Sequence, residues 1–151
     1  MYKKILVPLD GSELSECVLD HVKAIAIGCQ VPEVVLLRVI EPIPSQAYVE
    51  APEDIIREAE KRNRTEAEDY LSKLADDLKK GGVAAQAVVV LGREADEILD
   101  YVNKNQVELI IMSTHGRSGI SRWVWGSVTD RVIRHSRVPV LTVSPAGCRS
   151  G

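Results

Sequence analysis

Neither sign of charge dominates this chain of 151 residues: 19 Lys and Arg stand against 22 Asp and Glu, for a formal net charge of -3. With both signs mixed, there is no basic excess to gather on one face, which argues against a DNA- or RNA-binding surface. Cysteine is scarce as well. Cys17, Cys29 and Cys148 are odd in number, widely separated and form no C-x-x-C pair, so neither a disulfide framework nor a zinc site is indicated and a reducing cytoplasm is the expected location. A long apolar run is missing from the start of the chain. After Met1-Tyr2-Lys3-Lys4, residues 5–9 run apolar only as far as Asp10, too short for the core of a signal peptide or for a membrane span, so no membrane association is expected. Two familiar phosphate-binding patterns are also absent: there is no G-x-x-x-x-G-K-[ST] and no G-x-G-x-x-G. No internal repeat or second domain appears.

The chain does have enough apolar content, 45%, and enough length to bury a core as one domain. Residues 5–9 read as a buried strand with Pro8 near its end, followed by the turn Asp10-Gly11-Ser12. Glu13 and Glu16 open a helix whose packed face is Leu14, Cys17, Val18, Val22 and Ile25, with His21 beside that face as a packing residue. Residues 33–39 form a second strand. Pro42, Pro44 and Pro52 punctuate an aperiodic loop over residues 40–52, of the kind that serves as a lid or interaction surface. Residues 53–80 predict a long charged helix with Ala67, Tyr70, Leu71, Leu74 and Leu78 at helical spacing and a solvated outer face. Gly81-Gly82 ends it. A third strand over 84–91, a helix over 94–105, a fourth strand from Leu109, a helix over 127–135 and a fifth strand over 138–143 complete the pattern. Residues 145–151 read as a flexible tail, leaving 1–144 as the domain. Five strands alternating with four helices predict an α/β fold, a single-domain, doubly wound, five-stranded parallel sheet with helices on both faces and right-handed crossovers. Ligands of such sheets sit beyond the strand carboxyl ends where strand order reverses. Asp10, Val39 and the loop from Ser113 converge there if the first and fourth strands flank that point.

The densest chemistry lies in residues 109–129, Leu-Ile-Ile-Met-Ser-Thr-His-Gly-Arg-Ser-Gly-Ile-Ser-Arg-Trp-Val-Trp-Gly-Ser-Val-Thr. A continuous apolar run becomes a loop of glycines, hydroxyls and arginines, and Gly126-Ser127 precedes a new apolar period at Val128, Val132 and Ile133. A helix starting there directs free N–H groups and the positive end of its dipole toward the loop, an arrangement suited to an oxyanion. Arg117 and Arg122 are candidates for charge-assisted hydrogen bonds to phosphate oxygens. A purely steric strand-to-helix loop is the competing explanation. Asp10 either caps its own turn or serves a ligand beyond the strand ends, and His115 either packs within its loop or lines that ligand.

Together, Ile5-Leu6-Val7-Pro8-Leu9-Asp10-Gly11-Ser12, the stretch from Met112 to Thr129 and Val138-Pro139-Val140-Leu141-Thr142-Val143 resemble the universal stress protein family over nearly the whole chain. Its ATP-binding members carry glycine, two residues, glycine, nine residues, then glycine with a hydroxyl residue. Gly116 and Gly126-Ser127 match, whereas the first position here is Ser113. The resemblance implies a Rossmann-like sheet similar to that of adenine nucleotide α-hydrolases, with Pro8, Leu9, Asp10 and Val39 bordering adenine and ribose and Met112 under the base. It also implies that Ser113, His115, Gly116 and Arg117 line ribose and phosphates, that Arg122 adds charge, and that Gly126, Ser127, Val128 and Thr129 hold the phosphate tail. The implied cofactor is ATP with Mg²⁺, and the implied assembly a homodimer paired through Val138 to Val143.

A catalytic role requires a nucleophile with a base, and His115 near Ser113 or Ser127 has no acidic orienter in the local sequence. No catalytic residue is assigned, and slow ATP hydrolysis is the most such a site offers. The expected function is nucleotide-dependent regulation in a stress response. The alternative, favoured by Ser113, is a dimeric interaction protein of the same family that does not bind nucleotide.

Overall fold

The computed structural model describes residues 1–115 and 126–144. Strand pleating sets its plan, because alternate residues of a strand face opposite sides of the sheet. Strands β1 (Lys4–Pro8), β2 (Glu33–Ile40), β3 (Ala85–Leu91), β4 (Leu109–Ser113) and β5 (Val140–Val143) pair entirely in parallel, in the order β3-β2-β1-β4-β5. Ile5 and Val7 of β1 face the same side as Val34 and Leu36 of β2. Leu6, Val35, Leu37 and Ile110 face the other. Each side is therefore apolar and must be covered, which is why the strands read as continuous apolar runs.

Among the described residues there are six helices: α1 (Glu13–Glu16), α2 (Leu19–Gly28), α3 (Ala47–Glu50), α4 (Glu53–Lys80), α5 (Glu94–Lys104) and α6 (Ser127–His135). Val22 and Ala26 of α2 and Leu71, Ala75 and Leu78 of α4 cover the first face. Ile98 and Val102 of α5 and Val132 of α6 cover the second. Leu71 and Ile98 are completely buried, and burial of a side chain of that size contributes roughly 1.5–3 kcal/mol. Helix α4 carries Glu53 and Asp54 in its first turn and Lys79 and Lys80 in its last, matching its dipole, and stops where Gly82 takes φ +91°. None of the helices among the described residues is long and apolar enough to cross a membrane.

Several local readings require correction. The first helix is divided: Cys17 and Val18 keep right-handed φ but with ψ of -16° each, closer to 3₁₀ than to α geometry, so α1 and α2 meet at a tightened turn. His21 is exposed rather than packed. Cys17 and Cys29 both pack against the core of the first face, and Cys29 is a free thiol. The aperiodic loop after β2 contains α3, a single turn begun by hydrogen bonds from Ala47 N–H to the Pro44 carbonyl and from Tyr48 N–H to the Ser45 carbonyl. It buries none of its residues and so has no apolar period to read. Strand β5 starts at Val140 rather than Val138, because the Ser136 hydroxyl engages both the carbonyl and the N–H of Val138 at 2.8 and 3.1 Å. The proposed tail, residues 145–151, lies outside the described residues.

Candidate functional site

Strand order reverses between β1 and β4: the chain winds from β1 through β2 to β3, then returns to the opposite side of β1. The carboxyl ends of those two strands are therefore where connections diverge and a crevice opens. On the β1 side, Gly11 takes φ +86° and the turn is tied internally. Asp10 Oδ1 accepts from the Ser12 N–H at 2.9 Å and from the Ser12 hydroxyl. Ser12 caps α1 by accepting from the Ser15 N–H at 3.2 Å, and the buried Ser15 hydroxyl donates to the Ser12 carbonyl at 2.9 Å and accepts from Asp10 N–H at 3.2 Å. The capping residue is thus Ser12, and Asp10 orients it.

The β4 side is a corner built from Ser113, Thr114 and His115, all buried. Its main-chain groups are engaged in several directions. The Thr114 N–H donates to the Val143 carbonyl at 3.0 Å, extending the β4–β5 ladder, and the Thr114 carbonyl accepts from Gly126 N–H at 2.9 Å. The Ser113 carbonyl accepts the Thr129 hydroxyl at 2.9 Å. The Ser113 hydroxyl donates to the His115 carbonyl at 2.8 Å and accepts from the His115 N–H at 3.3 Å. The His115 ring meets Thr114 Oγ1 through Nδ1 at 2.9 Å. Ser113 thus directs its hydroxyl to the main chain.

Helix α6 begins at this corner. Gly126 precedes it with φ -56° and ψ 150°, and the Asp130 N–H closes the first helical bond, to the Gly126 carbonyl at 2.9 Å. The N–H groups of Ser127, Val128 and Thr129 precede that bond and have no partner within the helix. These residues, with Gly126, line a cleft of about 270 Å³ together with Pro8, Asp10, Met112, Ser113 and His115. Nine of the residues singled out from the sequence are therefore brought together in one cleft.

Two others are not. Leu9 is 1% exposed and belongs to the core on the α2 and α4 side, because β1 alternation turns it away from the face shared by Leu6 and Pro8. Val39 packs into the opposite core and lines a neighbouring cleft of about 620 Å³ instead. Gly116, Arg117 and Arg122 lie outside the described residues. Sequence reasoning missed Ser15, Glu41 and Glu94, which also line the first cleft. For the two glutamates the available signal was position: Glu41 directly follows β2 and Glu94 follows β3 by three residues, so each stands beyond a strand carboxyl end.

The second cleft shares Asp10, Glu41 and Glu94 with the first and adds Arg38 from β2 and Asn63, Glu66 and Tyr70 from α4. Burial, then the Glu16 carboxylate beside it, push the Tyr70 phenol well above its usual pKa. Glu16 acts there by proximity, since no group among the described residues meets the phenol oxygen in hydrogen-bonding geometry.

The universal stress protein family model matches residues 1–144. Universal stress protein MJ0577 from Methanocaldococcus jannaschii is 32% identical over 155 residues, covering 95% of each chain. The solved structure of hypothetical protein MJ0577 superposes with a TM-score of 0.81 at 34% identity, over 95% of this chain and 96% of that one. A universal stress protein solved in complex with cAMP gives a TM-score of 0.66 at 23% identity, over 95% and 98% of the two chains. An Arabidopsis thaliana family member solved with AMP bound gives 0.67 at 18%, over 94% and 91%. At these last two identities the likeness is one of fold. From the match over residues 1–144 and the near-complete coverage of the M. jannaschii relative, this chain belongs to the universal stress protein family.

Proposed function

We propose that this protein is a nucleotide-dependent regulatory protein of the stress response that binds an adenine nucleotide, ATP with Mg²⁺, in the cleft between β1 and β4. The observation that carries the reading is the convergence of the Asp10 turn, the Met112 to His115 corner and the first turn of α6 on one cleft. Helix N-terminal N–H groups stabilise phosphate, while Met112 and Pro8 offer apolar surface to a base. Two proteins of the same fold hold adenine nucleotides, cAMP in one and AMP in the other, which is in keeping with an adenine base here. Leu9, buried in the core, is not part of the proposed site, and Val39 borders it only from the adjoining cleft.

Charge supports a role for the cation. Asp10, Glu41 and Glu94 line the cleft, and carboxylates beside a polyphosphate repel it unless a cation lies between them. No group of three or more possible ligands able to hold a metal by themselves occurs among the described residues. Mg²⁺ commonly needs only one or two carboxylates plus phosphate oxygens and water, so Asp10 suffices as its protein ligand once nucleotide is present. Arg117, two residues past His115, and Arg122, four before Gly126, are the cationic candidates for the phosphates.

The same reading includes a homodimer through the last strand. β5 is an edge of the sheet, and Val140, Leu141 and Thr142 are half-buried in the single chain. An apolar edge is an aggregation hazard unless paired, and pairing with its own copy about a two-fold axis is self-complementary. The nucleotide test is direct: denature the purified protein, identify released nucleotide by ultraviolet absorbance and chromatography, and titrate stripped protein with ATP and Mg²⁺ by calorimetry. Released ATP, or saturable binding, is expected. Neither nucleotide nor heat would reject this function in favour of a family member acting only through protein contacts.

A further inference from the structure

The position where the ATP-binding pattern has glycine carries, in this chain, a side chain with a defined task. Ser113 is 5% exposed and lines the cleft. Around the corner, the Ser113 carbonyl is engaged by Thr129 of α6, the Thr114 N–H by Val143 of β5 and the Thr114 carbonyl by Gly126, the residue before α6. The N–H and carbonyl of His115 are instead engaged by the Ser113 hydroxyl, at 3.3 and 2.8 Å. Glycine at this position supplies neither bond.

We propose that Ser113 is a positioning residue for the nucleotide cleft, holding the His115 main chain in its ligand-receiving arrangement before ligand enters. The inference deepens the nucleotide reading and rests on it. The Ser113 hydroxyl acts through His115, and its proton is committed to the His115 carbonyl. Fixing the corner in advance removes an ordering penalty that binding otherwise carries. The rival role for Ser113 is bulk, with its Cβ and Oγ merely filling space that a glycine leaves to the ligand. The two roles predict opposite series: a positioning hydroxyl makes alanine and glycine both worse than serine, whereas bulk alone makes alanine equal to serine and glycine better.

The experiment compares the unmodified protein with Ser113→Ala and Ser113→Gly by hydrogen exchange without ligand and by calorimetric titration with ATP and Mg²⁺. Ser113→Ala is expected to speed exchange of the His115 amide at least about tenfold while Leu6 and Ile110, in the core, keep their protection. Both variants are expected to bind ATP about fivefold to tenfold more weakly. A merely structural role would raise exchange in the core as well, and that outcome overturns the proposal. Unchanged His115 exchange in Ser113→Ala overturns it whatever the affinities, as does tighter ATP binding by Ser113→Gly. If no form binds ATP while Ser113→Ala still loses His115 protection selectively, the nucleotide reading fails and the clamp on His115 stands.

Discussion

The Thr129 hydroxyl donates a 2.9 Å hydrogen bond to the Ser113 carbonyl, joining the first turn of α6 to the last residue of β4 across sixteen positions of sequence. Both residues are buried. This bond and the Gly126 N–H to Thr114 carbonyl bond hold the helix start against the strand end, so the two walls of the cleft are set relative to one another by the protein.

Thr129→Val keeps the shape of the side chain and removes the donor. The Ser113 carbonyl then loses a buried partner, a destabilisation of about 1–3 kcal/mol. At about 2–4 °C per kcal/mol for a chain of this size, the thermal midpoint falls by several degrees. ATP affinity measured on the folded variant should fall with it. An unchanged melting curve would show that the Ser113 carbonyl does not depend on Thr129.

Gly126→Val tests the helix start from the other side. A Cβ at Gly126 would lie 3.2 Å from the Thr114 carbonyl oxygen and 3.8 Å from His115 Cα, so the substitution presses on the corner rather than on the hydrophobic core. ATP affinity is expected to drop at least about tenfold, roughly 1.4 kcal/mol, with far-ultraviolet circular dichroism preserved. Full affinity in a folded variant would place the phosphate site elsewhere.

The assembly is checked by light scattering at micromolar concentration. The chain mass is 16.6 kDa, and a dimer gives about twice that mass. Thr142→Lys puts a charge on the half-buried edge of β5 and should shift the population toward monomer without unfolding it. A monomer mass for the unmodified protein would remove β5 pairing.

Tyr70 makes an alkaline prediction. Burial first, and the Glu16 carboxylate second, raise its pKa in the folded protein above the ordinary value of 10.0. A group whose folded pKa is raised contributes stability that is complete below the unfolded pKa and is lost as pH climbs through the folded one. Stability should therefore decline as pH rises above about 10, and Tyr70→Phe should flatten that decline. Near neutral pH the same substitution should leave the thermal midpoint unchanged or raise it, because the phenol oxygen is buried and has no hydrogen-bond partner among the described residues, so that its removal strands none of them. A midpoint several degrees lower at neutral pH would mean that the hydroxyl has a stabilising partner in solution.

What the sequence determined by itself was whatever follows from local period and spacing. Helix α4 occupies residues 53–80 as its apolar spacing and Gly81-Gly82 stop require, α6 starts at Ser127 as predicted, and the apolar runs became five parallel strands, because burial on both faces leaves a mark on every residue of a strand. Part of the candidate site was legible for a related reason, since Met112, Ser113, His115 and Gly126 to Thr129 lie beside a strand end and a helix start that can be read locally. Tertiary structure decided the rest. Leu9, the residue after β1, faces the core and not the cleft, a matter of strand phase. Ser15, Glu41 and Glu94 entered the cleft because three different connections end at the same edge of the sheet, and which connections meet there depends on strand order. The task of Ser113 was equally hidden: whether its hydroxyl fills space or holds His115 depends on where the main chain turns after β4, and that turn is fixed by Thr129, Gly126 and Val143, none of them neighbours of Ser113 in sequence.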